Sequence, residues 1–188
     1  MDKLKMFDLK TDYSKYSNCF MEAERYSSGD GLAIFINSEF EGAICDLSTN
    51  ILGDYGSLWT SDMLPKNAFF VKDYDGMPAI AKELEEKGLI KSLGIETYQG
   101  YGKYNAFAIE PKAIRYMEPN NVKNELIKYF KEDENFLEKA KENNLDNKKI
   151  DDYFSGKLED EEAKKLDEIF KIEEENDDDE VENIDDCE

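Results

Sequence analysis

The sequence predicts an α+β fold in three parts: a mostly antiparallel sheet with one or two helices over residues 1–118, a small helical region over 119–172, and a disordered acidic tail over 173–188. Three observations predict it. The first part alternates short apolar runs with turn signals, as strands do. The second carries apolar residues three and four apart, as amphipathic helices do. The third holds 11 acidic residues and no basic one in its 16 positions, too little apolar surface to offset the entropy of ordering a backbone.

The runs Asn18–Tyr26, Leu32–Asn37 and Ala43–Ser48 are short and rich in Phe, Ile, Ala and Cys. The turn residues Ser27–Gly31 and Glu39–Gly42 separate them, so the spacing predicts an antiparallel meander. A loop with Gly53, Gly56 and Pro65 leads to the apolar stretch Ala68–Val71. From Met77 to Lys87 the apolar positions Met77, Ile80, Ala81 and Leu84 take helical spacing, with Pro78 in the first turn and Gly88 just past the last. Tyr104–Glu110 reads as the last strand before Pro111. Beyond Pro119 three stripes follow: Val122, Leu126, Ile127 and Phe130; Ile150, Tyr153 and Phe154, stopped at Ser155-Gly156; and Ala163, Leu166, Ile169 and Phe170. They predict three or four short helices packed on one another or on the sheet.

Charge narrows the function. The chain has 45 acidic and 24 basic residues, a formal charge of −21, of which −10 remains once the tail is set aside. Direct nucleic-acid binding is not expected, because it relies on Lys and Arg neutralising phosphates; a basic, nucleic-acid-binding protein is the favoured partner. There is no histidine, which removes Ser-His-Asp and Cys-His catalysis and histidine-bearing metal sites. The three cysteines, Cys19, Cys45 and Cys187, have no CxxC spacing and fit a reducing cytoplasm. Charge interrupts the amino terminus every few residues, and the longest apolar run is Leu32–Ile36, so neither a signal peptide nor a membrane partner is expected.

No motif for a cofactor or metal is met. Gly100-Tyr101-Gly102-Lys103 lacks the spacing of a P-loop or dinucleotide turn and reads as a glycine-rich hairpin loop. In Asp73-Tyr74-Asp75-Gly76 the glycine falls too early for a calcium loop. Cys19 and Cys45 lie in apolar strands and read as core. Lys91, Lys103, Lys112 and Arg115 interleave with Tyr98, Tyr101, Tyr104, Phe107 and Tyr116. Such a cluster can stack on bases, but in a chain of this charge it fits a protein contact better, with Tyr98, Tyr101 and Tyr104 as anchors. The acidic candidates are Glu159, Asp160, Glu161 and Glu162, with Glu132, Asp133 and Glu134, carboxylates at spacings comparable to a phosphate track.

The segment Asp8–Tyr116 resembles a small domain carried by phages, plasmids and other mobile elements of low-GC Gram-positive bacteria. The likeness lies in Leu4-Lys5-Met6-Phe7-Asp8-Leu9 with Tyr13 and Tyr16, and in Met77–Gly94 followed by the Gly-Tyr-Gly and Tyr-Asn-Ala-Phe segments. That resemblance carries no catalytic residues; it implies a mobile-element accessory protein, of the size and acidity of anti-CRISPR and anti-restriction inhibitors. The expectation is a non-enzymatic, cytoplasmic, DNA-mimicking inhibitor of a Cas9-type RNA-guided nuclease. Its alternatives are an anti-restriction mimic or an acidic module that binds a basic replication or partition protein.

Overall fold

A computed structural model describes residues 4–11, 14–53 and 57–172; the acidic tail lies outside them. Two four-stranded antiparallel sheets precede four consecutive helices, in the α+β class. The first sheet has the order β1-β2-β3-β4, from β1 (Phe7–Lys10), β2 (Lys15–Arg25), β3 (Leu32–Ser38) and β4 (Gly42–Asp46). The second, ordered β5-β6-β8-β7, is built from β5 (Ser48–Thr49), β6 (Ala68–Lys72), β7 (Ile90–Gln99) and β8 (Gly102–Ile109).

The expected meander is β2, β3 and β4. Alternation sets its buried face: Cys19, Met21 and Ala23 of β2 and Ile34 and Ile36 of β3 point inward. The chain passes from one sheet to the other at Leu47, fully buried, whose N–H donates to the Ile34 carbonyl. Beyond Phe7 the edge of β2 is taken by a later segment: Glu118 N–H donates to the Met21 carbonyl and Asn120 Nδ2 to that of Ala23.

Helix α1 (Met77–Glu86) starts with Pro78 in its first turn and ends in a Schellman turn. Gly88, at φ 67°, lets its N–H reach the Glu85 carbonyl while Leu89 N–H reaches that of Leu84. The three predicted stripes fall on α2 (Asn121–Glu132), α4 (Asn147–Phe154) and α5 (Asp160–Ile169), with Phe170 capping the last. Asn120 and Asp146 cap the first two by accepting from Lys123 N–H and Lys149 N–H. Between them stands α3 (Glu134–Glu142), capped by Asp133.

The helices pack on one another and on both sheets in one core. At its centre Phe130, Phe136, Phe154 and Phe170 stack, with the Phe136 and Phe170 ring centroids 3.9 Å apart. A buried ion pair joins the helices to the 3-10 turn Pro111–Tyr116: Arg115 Nη2 donates to both oxygens of Asp167, at 2.6 and 2.8 Å. Tyr153 Oη donates to the same carboxylate at 2.9 Å, under the Arg115 guanidinium. A second, smaller cluster lies on the other face of the second sheet: Ile51, Leu64, Ala68, Phe70, Tyr104, Ala106 and Ala108.

Candidate partner-binding surface

The smaller cluster is covered in part by the loop between β5 and β6, which contains the 3-10 turn Ser61–Met63 and carries four exposed large apolar side chains among its described residues. Two braces hold it. At its base Ile51 and Ser61 exchange hydrogen bonds: Ile51 N–H donates to Ser61 Oγ and Ser61 N–H to the Ile51 carbonyl, both at 2.8 Å. Along β7, fully buried Thr97 accepts from Trp59 N–H and donates its hydroxyl to the Trp59 carbonyl, while Ser57 Oγ donates to the Tyr98 carbonyl. Gly31 lets the base close: a Cβ there would meet Asn50 Oδ1 at 2.6 Å and Ser61 Cβ at 2.9 Å.

With its backbone satisfied on the strand side, the loop turns its apolar side chains outward. Leu58 is 80% exposed, Met63 56%, Leu52 46% and Trp59, the single tryptophan, 37%. Tyr98 on β7 is 53% exposed, and Tyr101 is fully exposed at the tip of the β7–β8 hairpin. The hairpin has a two-residue loop, Gly100-Tyr101, closed by the Gln99–Gly102 pair; Gly100, at φ 60°, supplies the positive φ that a II′ turn needs at its first position. The glycine-rich loop expected here is therefore a turn that presents an aromatic ring. Exposed Trp, Tyr, Leu and Met on a braced backbone have the composition of an interface anchor.

Tyr104 does not join them, which corrects its expected role as a surface anchor. It belongs to the smaller cluster at 8% exposure, lies across Gly102 so closely that a Cβ there would meet Tyr104 Oη at 2.6 Å, and has its phenol pushed above the ordinary value, first by burial. Period two decides this: Gly102, Tyr104 and Ala106 share a face.

The acidic candidates are placed differently again. Asp160 pairs with Lys5 at 2.5 Å, Glu162 with Lys149 at 2.6 Å and Glu132 with Lys128 at 3.7 Å. Asp133 is spent as the α3 cap, accepting from Phe136 N–H at 2.9 Å. Glu134 opens α3, and Glu159 and Glu161 sit at the start of α5 beside a shallow groove with Lys149, Lys165 and Leu166. Residues 119–172 hold 11 basic residues against 15 acidic ones, so these helices are laced with ion pairs.

The basic and aromatic cluster of the sequence is dispersed. Lys91 Nζ donates to the Ile172 carbonyl, Lys103 pairs with Glu96, Lys112 Nζ donates to the Lys87 carbonyl and Arg115 is buried against Asp167. Phe107 packs on the main core and Tyr116 meets Phe7 edge to face. Cys19 is fully buried; Cys45, half-buried, has its thiol pushed up to about 11, chiefly by burial and then by Asp46. Cys187 lies outside the described residues. Asp73–Gly76 forms the turn into α1, with Asp75 and Gly76 both left-handed.

Leu52, Leu58, Trp59 and Met63 are the residues that periodicity misses. Their signal was available: four large apolar side chains, one of them the sole tryptophan, stand between glycines with neither helical nor strand spacing. Among the described residues no helix is long and apolar enough to cross a membrane. No protein-family model, no curated protein and no solved structure matches the chain.

Proposed function

We propose that this chain is a non-enzymatic binding protein of the bacterial cytoplasm that acts on a basic, nucleic-acid-binding partner. As an anti-defence inhibitor its first candidate target is an RNA-guided nuclease of the Cas9 type, with restriction enzymes second. The observation that carries the reading is the group Leu58, Trp59, Tyr98 and Tyr101, held out from a braced loop and hairpin on a chain of charge −21. Such a group supplies the desolvated centre of an interface. The surrounding negative field speeds encounter with a basic protein and repels competing polyanions.

A second reading has its own support. Glu132, Asp160 and Glu162 are tied to lysines, whereas a mimic of the phosphate track needs carboxylates that face a partner. This favours an acidic module that binds a replication or partition protein of a mobile element, with helix acidity serving solubility.

Purified protein is mixed with a Cas9-type nuclease, and binding is measured by calorimetry alongside DNA cleavage. Tight binding at low salt, weakening as salt rises, with at least a tenfold loss in Trp59→Ala/Tyr101→Ala, supports the inhibitor; no binding and no protection of DNA overturn it. Reversing Glu159–Glu162 to lysine, set against deletion of 173–188, tells whether ordered helix charge or tail charge contributes.

A further inference from the structure

We propose that the outward face of the first sheet is a docking surface for an arginine-bearing segment of the partner, with a guanidinium lying on the Phe35 ring between the carboxylates of Glu22 and Asp46. This rests on the reading above only in taking the partner to be basic.

The strand register creates the arrangement. Glu22 pairs with Phe35, and Phe35 with Asp46, so the three form one row across β2, β3 and β4. Adjacent strands stand about 5 Å apart, which puts a carboxylate-bearing side chain on either side of one aromatic ring. Phe20 lies two residues from Glu22 on the same face, and Glu24 two residues the other way. The opposite face of these strands is the core. Phe20, Glu22 and Phe35 are half-buried and Glu24 and Asp46 exposed, so the face remains reachable. Glu22 accepts one hydrogen bond, from Asn37 Nδ2 at 3.2 Å, and burial raises the Asp46 carboxyl above its ordinary value, with Lys72 and hydrogen bonds from Ser48 only partly opposing it. Among the described residues neither carboxylate is in an ion pair, in contrast to Asp160 and Glu162.

That chemistry selects its occupant. An apolar segment laid here would bury two carboxylates, of which only Asp46 has a lysine, Lys72, acting on it and neither has an ion pair among the described residues, which is costly. Nucleic acid would be repelled. A lysine ammonium is compact and strongly hydrated, whereas a guanidinium is planar, less hydrated, able to stack on an aromatic ring and able to donate to a carboxylate through two N–H groups at once. Ring and carboxylates in one row therefore favour Arg over Lys.

The test titrates the full-length, isotope-labelled chain with hexa-arginine and, separately, with hexa-lysine. Both carry the same charge and both are attracted to a protein of −21, so discrimination is the readout. Expected are amide shifts at Glu22, Phe35 and Asp46 with hexa-arginine, and at least tenfold tighter binding than hexa-lysine. Phe35→Ala and Glu22→Gln/Asp46→Asn should each abolish the preference while leaving the remaining amide spectrum folded. Equal affinity for the two peptides, or a preference that survives Phe35→Ala, overturns the proposal. Because no nuclease is present, failure to find a nuclease target leaves the result intact, and failure here leaves the nuclease reading standing.

Discussion

The second sheet has two faces, and they differ in what closes them. The inner face joins the main core, where strands, helices and four stacked phenylalanines meet. The outer face buries Ala68, Phe70, Tyr104, Ala106 and Ala108 against Ile51 and Leu64 of the β5–β6 loop, which contains the 3-10 turn Ser61–Met63, and that loop exposes Leu58, Trp59 and Met63. Side chains that interdigitate from several elements give a cooperative core. A cover made of one loop gains less from its own burial and leaves large apolar side chains exposed. Stability thus rests mainly on the inner side of these strands, and the surface proposed for binding lies on the outer side.

The largest expected effects test the main core. Phe136→Ala removes a ring from the middle of the aromatic stack and should cost about 3–5 kcal/mol in denaturant unfolding. Arg115→Met should cost a similar ~3–5 kcal/mol, because Asp167 would be left with only the Tyr153 hydroxyl near the protein interior. The triple change Arg115→Met/Asp167→Leu/Tyr153→Phe, which removes the whole polar group, should recover most of that loss. If the triple variant is no more stable than Arg115→Met, packing and not the uncompensated charge explains the single effect.

The same division governs what the sequence made legible. The meander, α1, α2, α4 and α5 stand out because each buries one face and so repeats its apolar residues at period two or 3.6. Strand β7 is harder to read: it is an edge strand, its register slips between Ser92 and Glu96 around Gly94, and of the face it turns to the lesser cluster, with Leu93, Ile95 and Thr97, only Thr97 is fully buried. β1 is four residues long, and α3 offers only Phe136 and Ala140 as buried positions. At the candidate surface Tyr98 and Tyr101 were legible as exposed aromatics, but Tyr104 was not separable from them without the strand phase that Gly102 fixes. The loop anchors escaped because their exposure follows from Thr97 and Ser61 bracing the backbone, contacts about 38 and 10 residues away in sequence.

Smaller effects are expected on the outer side. Ile51→Val, inside the lesser cluster, should cost about 1 kcal/mol. Leu58→Ser, on its surface, should stay within about 0.5 kcal/mol of the parent while weakening partner binding. Measured together by chemical denaturation and by affinity, the two variants separate the cover from the contact. A Leu58→Ser variant destabilised as much as Ile51→Val would mean that the loop is core on both sides and that the comparison fails.

The smallest effect is set at the seam between the two regions. Glu110 follows β8 directly, is 4% exposed, and accepts from the N–H of Ile172, a residue that packs against the lesser cluster. Burial raises its carboxyl above the ordinary value, and Lys91, Lys171 and Lys139 only partly oppose this. A carboxyl raised in the folded state stabilises the fold below its unfolded value near 4.5 and loses that contribution as pH rises through the folded value. At neutral pH the buried carboxylate is therefore a cost. Glu110→Gln keeps an oxygen for Ile172 and removes the charge, so its Tm should exceed the parent's at pH 7 and the difference should close by about pH 4. Thermal melts of both proteins from pH 4 to 8 measure it. A difference that does not change with pH would show that Glu110 is not the titrating group and that the seam is held by shape alone.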